Sequence, residues 1–380
     1  MTTKLYYIDA YIKEFDSKVL SCKETESGFL ILLEQTAFFP EEGGQSSDCG
    51  YIDSARVISV YEEAGVVYHL VDRRIDKDTV HCVLDFEERF EKMQLHTAEH
   101  ILCGIIHEKY GYENVGFHLG EDVVTFDVSG VLTRAELDEI EDIANKVVFE
   151  NSSIKCWFPT AEELTTTDYR SKLELSENIR LVKIGDVDIC ACCAPHVLRT
   201  GEVGIIKILD YMKHRGGTRI TMQAGARALR DYRIKYENLL RISAMLSIPQ
   251  HESADELARY MKETDSLRAE LRALKIFQAE MLAENYSDIS GNKVFCFDDY
   301  SMDQLRAFAN RMKEKTEGLV VCVSGREGDY KYLIASHKQD LSAVVKDINK
   351  ALCGRGGGRG EMVSGSFAAT LCDIKKYFEK

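Results

Sequence analysis

Two short segments of the chain carry side chains whose types and spacing suit a metal ion. His96 and His100 lie four residues apart in HTAEH, and on a helix this spacing places both imidazoles on one face. Cys192 and His196 lie four residues apart in CACCAPHV. Together the two pairs supply one thiolate and three imidazoles, and this donor set suits a tetrahedral zinc ion. The sequence therefore predicts a metal site built from two segments that are far apart in the chain.

Spacing alone leaves three questions about this site open. Cys190 and Cys193 compete with Cys192 for the role of thiolate ligand. HTAEH is similar to the HExxH motif of zinc proteases, but Thr97 replaces the glutamate that acts there as general base. Four protein ligands are typical of a structural zinc, whereas a catalytic zinc keeps one position for water or substrate. Either the metal expands its coordination, or one candidate is not a ligand, or the metal only shapes a pocket.

A glycine pair in the first fifty residues is a candidate for binding substrate through the backbone. The segment AFFPEEGGQSSDCG places Gly43 and Gly44 between two strand-like patterns, with Gln45 beside them. Adjacent glycines permit positive φ angles or a close approach of the backbone to a ligand. A plain hairpin turn is the commoner use of such a pair, so both interpretations stay open.

A second glycine-rich segment, CGRGGGRGEMVSGS, combines its glycines with Arg355 and Arg359. We expect a flexible, cationic loop whose backbone donors cradle phosphate, with a structural turn as the alternative. The segment lacks the Lys-Ser or Lys-Thr ending of a P-loop, and it does not present a GxGxxG motif between a strand and a helix. These absences argue against the common nucleotide-binding loops.

Length and composition bound the class of protein. At 380 residues the chain suits two or three domains. The N-terminus, MTTKLYYIDAYIKEF, lacks the order of a signal peptide, and no apolar run reaches the roughly 18 residues of a membrane span. We therefore expect a soluble, cytoplasmic protein without a membrane partner. The twelve cysteines are scattered, so we expect reduced thiols rather than a disulfide scaffold.

The charge of the chain is unevenly distributed. A net charge of −15 argues against non-specific binding of nucleic acid, because phosphate contacts need cations. The segment Lys207–Lys235 is an exception, because it contains eight basic residues and only two acidic ones, Asp210 and Asp231. The basic residues are Lys207, Lys213, Arg215, Arg219, Arg227, Arg230, Arg233 and Lys235. A basic segment on an acidic protein predicts a confined anionic partner, and a solvated helix face is the alternative.

Periodicity predicts an α+β fold in four parts. Residues 1–88 alternate apolar and polar positions in short runs, which is typical of an antiparallel β-barrel or sandwich, and they contain the glycine pair. Residues 89–224 combine helices and strands around the candidate metal site. Residues 225–287 carry apolar residues at helical and heptad-like spacing, which predicts a helical hairpin or coiled-coil arm. Residues 288–380 alternate strand-like and helical patterns, as in a small α/β domain.

Two helix boundaries in the second part follow from local signals. Gly111 is expected to end the helix that runs through HTAEH, because glycine readily takes the left-handed conformation that closes a helix. Thr133 is followed three residues later by Glu136, which is the spacing of a capping box. The sequence therefore predicts that a second helix begins at this threonine.

The order of several motifs resembles a known family. FFPEEGGQSSDCG, HTAEHIL, CCAPHVLRTGEVG and TRITMQAGARAL follow one another as in the editing half of alanyl-tRNA synthetase and in its free-standing relatives, the AlaX-type alanyl-tRNA editing proteins. The final GRGGGRGEMVSGS is similar to the DHH-associated domain of the long form. The similarity covers essentially the whole chain, and its specificity comes from four motifs in the right order rather than from any one of them.

The resemblance implies roles for individual residues. Four positions match the family's zinc ligands, with one Zn²⁺ per chain, and this match favours Cys192 over its neighbouring cysteines: His96, His100, Cys192 and His196. Four positions match the glycine motif and a threonine of the amino-acid pocket, and we expect them to act in catalysis: Thr36, Gly43, Gly44 and Gln45. The chain departs from the family at Cys193, Ala194 and Pro195, where Gly-Gly-Thr is usual. The departure removes a hydroxyl and adds a rigid proline, which puts the local substrate contacts in question.

The activity implied by the resemblance is hydrolysis of a wrong amino acid from tRNA(Ala). Serine is the expected amino acid and glycine a further one, because a pocket shaped for alanine cannot strongly reject an analogue with one added hydroxyl. We expect tRNA contacts from two groups of basic residues: Lys213, Arg215, Arg219 and Arg227, and Arg355 and Arg359. The glycine-rich C-terminal region is expected to bind another part of the tRNA, to form a homodimer, or both.

Three other functions remain as alternatives at this level. A noncatalytic, zinc-stabilised tRNA-binding protein is consistent with a closed set of four ligands. A phosphoesterase is suggested because DHH-associated domains also accompany such enzymes, but the chain has no Asp-His-His motif to hold their metals. A thiol redox role is suggested by the three cysteines at Cys190, Cys192 and Cys193.

Overall fold

The structure, a computed structural model, describes residues 1–120, 122–171 and 179–379. These residues form a mixed α+β fold, which confirms the predicted class. They divide into two compact units, Met1–Leu240 and Arg241–Lys380, and each unit is described by itself. The finer division into four domains stays a prediction. Within the described ranges no helix combines the length and the apolar character needed to cross a membrane.

The first part of unit one is a closed β-barrel. The strands of this region are β1 (Thr3–Lys4), β2 (Glu14–Thr25), β3 (Gly28–Leu33), β4 (Gln35–Thr36), β5 (Gly50–Ile52), β6 (Ala55–Glu63), β7 (Val66–Val71) and β8 (Thr79–Leu84). Six of them close the barrel in the order β2-β3-β7-β6-β5-β8. Buried and exposed residues alternate strictly along β8 because successive side chains of a strand point to opposite faces. The inward side chains, among them Ile31, Val57 and Val67, fill the interior.

Helix α1, Phe86–Tyr110, is the central element of the second part. Every residue from Lys92 to Ile106 is buried, so the helix is enclosed on all sides rather than on one face. It ends where Gly111 adopts a left-handed φ of 67°, as predicted from the sequence. The two histidines of HTAEH therefore lie in the middle of a buried helix.

The remaining elements of unit one surround α1. They are β9 (Asn114–Leu119), β10 (Val124–Val128), α2 (Arg134–Glu150), β11 (Ile154–Trp157), α3 (Ala161–Thr166), β12 (Leu181–Ile184), β13 (Asp188–Ala191), β14 (Ile206–His214) and β15 (Gly217–Ala224). The strands form two sheets, in the orders β14-β15-β10-β9 and β11-β12-β13. The predicted capping box is present, since the Thr133 hydroxyl accepts from the Glu136 N–H and the Glu136 carboxylate accepts from Thr133. Apolar side chains of α1, α2 and both sheets share one core.

Two long helices occupy the segment for which an arm was predicted. They are α4 (Gly225–Leu246), which crosses the division between the units, and α5 (Ser253–Glu284). Both expose large apolar side chains, including Leu240 on α4 and Leu267 and Leu274 on α5. Helical structure here agrees with the predicted periodicity, and the coiled-coil pairing stays a prediction.

Unit two continues with a five-stranded sheet and three further helices. They are β16 (Lys293–Phe297), α6 (Met302–Met312), β17 (Val320–Arg326), β18 (Asp329–Ala335), α7 (Val345–Ala351), β19 (Gly354–Arg359), β20 (Met362–Phe367) and α8 (Leu371–Phe378). The sheet order is β16-β17-β18-β20-β19, and only β16 and β17 pair in parallel.

The prediction of a flexible loop around Arg355 and Arg359 is wrong, because these residues lie in the edge strand β19. All six residues of the strand pair with β20. A Cβ atom at Gly356 would lie 2.4 Å from the Ser364 carbonyl oxygen and 2.6 Å from the Tyr332 hydroxyl. The glycines of this segment therefore allow close packing against the neighbouring strand, a use that composition alone does not distinguish from loop flexibility.

A buried ion pair joins the barrel to helix α1. The Arg89 guanidinium pairs with the Asp48 carboxylate, and both side chains are at most 2% exposed. Arg89 Nε donates to Asp48 Oδ1 at 3.0 Å, and its two terminal nitrogens donate to the carbonyl oxygens of Ala10 and Ala37. Asp48 also accepts from the Phe39 N–H at 2.6 Å. The pair is thus fully hydrogen-bonded, which a buried ion pair requires.

Removing one partner of this pair is expected to destabilise unit one strongly. Asp48→Ala leaves the Arg89 charge buried and unpaired, so we expect the free energy of unfolding to fall by about 3–5 kcal/mol. Urea denaturation followed by circular dichroism measures the change. The control is Glu87→Gln in the exposed first turn of α1, for which we expect a loss below about 1 kcal/mol. An Asp48→Ala variant as stable as this control would contradict the anchoring role.

Candidate metal centre

Unit one brings the four predicted ligands into one cluster. One ligand atom from each of four residues lies within 4.8 Å of the others: His96, His100, Cys192 and His196. Cys192 Sγ lies 3.3 Å from His196 Nε2 and 3.6 Å from His96 Nε2. The three imidazoles are 2% exposed, and Cys192 is the least buried of the four residues.

Two elements position these ligands. Helix α1 stacks His96 and His100 one turn apart, with ring centroids separated by 5.3 Å. Strand β13 packs on α1, and the segment that follows it carries Cys192 and His196 to the same face of the helix. The His196 ring lies 5.1 Å from that of His96 and 4.8 Å from that of His100. The helical spacing was visible in the sequence, and the approach of β13 was not.

The imidazoles are oriented by neighbouring side chains, which is a test of whether the residues fit a metal. Each imidazole uses Nδ1 for one hydrogen bond: His96 to Gln45 Oε1 at 3.0 Å, His100 to Asp188 Oδ2 at 3.1 Å, and His196 to Thr97 Oγ1 at 3.0 Å. With a proton on each Nδ1, the lone pair of each ring is on Nε2. Metal-binding histidines are held in this way by an acceptor on the other ring nitrogen. The cluster therefore fits a divalent transition metal.

Two of the four side chains have charge states that suit a metal. Burial alone would raise the pKa of the Cys192 thiol, but the imidazoles of His96, His196 and His100 hold it well below its ordinary value. Burial lowers the pKa of His196 to about 3, so this ring stays neutral. Thiolate and neutral imidazole are the forms in which these side chains bind metals. Burial alone would lower the pKa of His100, but Cys190, Asp188 and Cys192 raise it well above its ordinary value, so a metal bound to this ring would have to displace a proton.

Asp188 is a site residue that sequence analysis missed. It lies on β13 and accepts from His100, while Arg170 Nε and Nη2 donate to its two oxygens at 2.8 Å each. Burial alone would raise the pKa of Asp188, but the hydrogen bonds from His100 and Arg170 hold it below the ordinary value. The signal in the sequence was the alternation in Asp-Ile-Cys, which places Asp188 and Cys190 on one face of a strand.

The glycine pair forms a tight hairpin turn beside the cluster. Gly43 and Gly44 have φ angles of 64° and 81°, and the Gln45 N–H donates to the Glu42 carbonyl oxygen at 3.1 Å. Positive φ at both central positions is typical of a type I′ turn, where glycine is favoured. A Cβ at Gly44 would lie 2.6 Å from the carbonyl oxygen of Phe117, so this position requires glycine. The hairpin interpretation is correct for the backbone, and Gln45 links the turn to His96.

Thr36 lies in the buried interior beside the barrel rather than in the cluster. Its hydroxyl lies 2.8 Å from His69 Nε2 and accepts from the Phe38 N–H at 3.1 Å. Thr36 and His69 are fully buried. The role of Thr36 in an amino-acid pocket stays a prediction.

The other two cysteines of CACCAPHV lie on different sides of the centre. Cys190 is buried on β13, and its thiol groups with His100 and Asp188 within 4.8 Å. Cys193 lies towards the turn, where a Cβ at Gly43 would approach its Sγ to 3.5 Å. All twelve cysteines of the chain are free of disulfides.

The predicted tRNA-binding residues differ in how much of their charge is free. Arg219 pairs with Asp127 through two hydrogen bonds of 2.7 and 2.8 Å, and Arg227 pairs with Glu91. Lys213 and Arg215 are exposed at the end of the β14–β15 hairpin and form no ion pair with the described residues. In unit two, Arg355 and Arg359 are exposed on β19.

Two family models match parts of the chain. The model described as the threonyl and alanyl tRNA synthetase second additional domain matches residues 179–221, which contain Cys192 and His196. The DHHA1 domain matches residues 289–377 in unit two.

Individual relatives extend the similarity over nearly the whole chain. An alanyl-tRNA editing protein, AlaX-L, of Pyrococcus horikoshii is 27% identical over 97% of this chain and 95% of its own length. An alanine–tRNA ligase of Pyrococcus furiosus is 31% identical over 99% of this chain, which spans only 42% of that protein. The solved C-Ala domain of Aquifex aeolicus alanyl-tRNA synthetase is 23% identical and covers 25% of this chain and 93% of its own, with a TM-score of 0.21, too low to support a structural conclusion.

Asp188 is expected to strengthen metal binding through His100. Asp188→Asn removes the charge that holds the Nδ1 proton of His100, so we expect the affinity for Co²⁺, a spectroscopic probe of such sites, to fall about 10- to 100-fold. Titration of the visible absorption against a competing chelator measures the affinity. Asp186→Asn is the matched control, because this aspartate lies on the same hairpin with a fully exposed side chain. Equal affinities for wild type and Asp188→Asn would contradict the orienting role.

Proposed function

Since this chain is a homologue of the alanyl-tRNA editing proteins and carries the second additional domain and the DHHA1 domain, we propose that it is an aminoacyl-tRNA deacylase. Its reaction is hydrolysis of the ester that joins a wrong amino acid to tRNA(Ala). Serine is the principal amino acid removed, and glycine is a second one. Hydrolysis at a separate site is needed because binding alone discriminates weakly against one added hydroxyl.

The observation that carries the proposal is the connection between the exposed glycine turn and the buried donor cluster. Gln45 makes this connection, because its backbone closes the turn and its side chain holds His96. Gly43 and Gly44 are exposed, and Cys192 is partly exposed. An ester that reaches the thiol side of the cluster therefore meets backbone donors and metal ligands together.

The donor set fits one Zn²⁺ per chain, held by His96, His100, Cys192 and His196. Bound zinc would orient the aminoacyl group or polarise its carbonyl and a nearby water. The cluster would have to accept a further ligand for this chemistry, and we propose that such a ligand enters beside Cys192, the least buried of the four residues.

The remaining roles belong to the turn and its support. The N–H groups of Gly43 and Gly44 donate to no other described residue, so they are available to stabilise negative charge on the ester oxygen. Gln45 keeps the His96 ring in place during the reaction. Thr36 acts by positioning, since its hydroxyl bonds to His69 and Phe38 at the base of the segment that leads to the turn.

We assign tRNA binding first to the tip of the β14–β15 hairpin. Lys213 and Arg215 are exposed there and form no ion pair with the part of the chain that the structure describes, whereas Arg219 and Arg227 are partly neutralised by Asp127 and Glu91. Arg355 and Arg359 offer a second basic surface on the edge strand of unit two, where the region would contact another part of the tRNA, form a homodimer, or both.

Deacylation of charged tRNA tests the activity directly. The purified protein is expected to hydrolyse Ser-tRNA(Ala) and, more slowly, Gly-tRNA(Ala), and to spare Ala-tRNA(Ala). Chelation or Cys192→Ser should lower the rate on the order of 100-fold or more, because a ligand is lost. Cys296→Ser, an exposed cysteine of unit two, is the control and should keep the wild-type rate.

The outcome also separates the two candidate functions. A protein that binds metal and tRNA(Ala) but cleaves none of the three esters would be a noncatalytic, zinc-stabilised tRNA-binding protein. Cleavage that persists unchanged in Cys192→Ser and after chelation would reject the metal-dependent mechanism.

The hairpin tip is expected to contribute salt-dependent affinity for tRNA. The double variant Lys213→Ala, Arg215→Ala removes two free charges, so the slope of log K against log salt concentration should become shallower by about 1–2. Fluorescence anisotropy with labelled tRNA(Ala) at several salt concentrations measures the slope. Lys18→Ala, an exposed lysine of the barrel, is the control. A double variant with the wild-type slope would contradict this assignment.

A further inference from the structure

A cleft in unit two is lined by several cationic side chains. Its volume is about 410 Å³, which lies within the range of small-molecule binding sites. Three of the cations come from α5 and one from β18: Arg268, Arg272, Lys275 and Lys331. Every residue that lines the cleft belongs to unit two, and none of them belongs to the candidate metal centre. The cleft is therefore a second candidate site of the chain.

Helix α5 and the sheet of unit two bring these cations together. The three cations of α5 follow one another at i, i+4 and i+7, so they lie on one face of the helix. Lys331 on β18 pairs in register with Ser324 near the end of β17, and Tyr300 follows the carboxyl end of β16. Strands β16 and β17 are parallel, and the carboxyl ends of parallel strands are where small ligands commonly bind in α/β sheets.

The charge of the cleft is positive. Two acidic side chains, Asp299 and Asp303, line it together with the four cations, so the lining has an excess of two positive charges. Two ion-pair partners lie outside the lining: Asp265 is 3.5 Å from Arg268, and Arg306 is 3.9 Å from Asp303. Since one of these partners is acidic and the other basic, counting them leaves the excess unchanged.

Two of the cations are available to a ligand. Lys275 and Lys331 are exposed and form no ion pair with any residue in the described ranges. Arg272, in contrast, is partly neutralised because it donates to Asp303. Asp299 is exposed at the cleft, where its carboxylate would oppose a bound anion. An anion in the cleft therefore gains most from the two lysines.

Arg355 extends this positive surface across the sheet. Lys331 pairs in register with Ser366, and Ser366 with Arg355, so the two cations lie on one face of the sheet, two strands or about 10 Å apart. Unit two as a whole has no net charge, since residues 241–380 contain 21 basic and 21 acidic side chains. The positive charge is therefore concentrated at the cleft rather than spread over the unit.

The cleft also has an aromatic and apolar part. Tyr300 lines it, and its ring stacks on that of Phe297 with a centroid distance of 4.1 Å and an interplanar angle of 8°, which restricts its orientation. Leu271, whose side chain is 55% exposed, lines the α5 side. Aromatic side chains stack on nucleobases, and ammonium and guanidinium groups bind phosphate. A ligand with both kinds of group would use the whole lining.

We propose that this cleft binds a nucleoside phosphate with two or more phosphate groups, supplied either as a free nucleotide or as nucleotides of a nucleic acid. The excess of two positive charges, with Arg355 nearby, matches a diphosphate better than a neutral ligand. The site holds phosphate through side chains rather than through a glycine loop, so it needs no P-loop motif. The proposal goes beyond the deacylase activity and does not depend on it.

Calorimetric titration of the full chain with ADP, AMP and adenosine tests the cleft. We expect affinity to rise with the number of phosphate groups. The double variant Lys275→Ala, Lys331→Ala should bind ADP at least about 10-fold more weakly, because charge-assisted contacts are lost. Asp299→Asn should bind ADP more tightly, because it removes an opposing carboxylate. The control is Lys346→Ala, Lys350→Ala, which removes the same charge from exposed positions of α7, on the opposite face of the sheet.

The comparison of variants decides the proposal. Weaker ADP binding in the Lys275, Lys331 variant, with the control and thermal melting unchanged, supports it, and so does tighter binding in Asp299→Asn, which misfolding would not produce. A wild type that binds ADP no more tightly than adenosine overturns it, as does an equal loss of affinity in the control. Pyrophosphate that binds as tightly as ADP would overturn the assignment to a nucleoside.

Competition with uncharged tRNA(Ala) distinguishes the two sources of the ligand. Displacement of ADP by tRNA in wild type would identify the bound nucleotides as part of a nucleic acid, whereas simultaneous binding would identify a free nucleotide. None of these measurements uses ester cleavage. A protein that fails to hydrolyse Ser-tRNA(Ala) would therefore reject the proposed deacylase without affecting the result for the cleft.

Discussion

The buried pair between Arg89 and Asp48 is the constraint on which the geometry of unit one depends. Asp48 belongs to the segment that runs from the glycine turn into the barrel, and Arg89 lies in the second turn of α1. His96 and His100 follow Arg89 by two and three helical turns, so fixing the start of α1 also fixes where these imidazoles lie relative to Gln45. A charged pair has a specific geometry, whereas apolar packing alone tolerates small sliding movements. The candidate metal centre and the turn are therefore held in register by an interaction that neither of them contains.

The candidate centre is an assembly of three segments that are distant in sequence. The turn contributes Gln45, the helix contributes His96, His100 and Thr97, and the β12–β13 hairpin with its following segment contributes Asp188, Cys192 and His196. The Nδ1 atom of each imidazole is hydrogen-bonded to a residue from a segment other than its own. Loss of any one segment would leave buried polar groups without partners, which makes the centre cooperative with the fold of unit one.

Features that depend on a single local element could be predicted from the sequence. The i, i+4 spacing of HTAEH, the glycine after α1 and the capping box before α2 depend only on local backbone geometry, and the structure agrees with all three. The prediction of a loop at Gly354–Arg359 was wrong, because glycine suits both a loop and a strand that packs closely on its neighbour. Asp188 was missed because nothing in its local sequence reveals that β13 packs on the histidine face of α1.

The sequence by itself determined the α+β class, the two pairs of candidate metal ligands, and the turn-forming glycines, since residue type and short-range periodicity specify them. It also carried the resemblance to the alanyl-tRNA editing proteins, through the order of its motifs. Only the tertiary structure decided which thiol lies beside the three imidazoles, and that Gln45 orients His96 and Asp188 orients His100. These contacts join residues 51 to 96 positions apart. Long-range contacts of this kind are set by the packing of whole elements rather than by any local pattern.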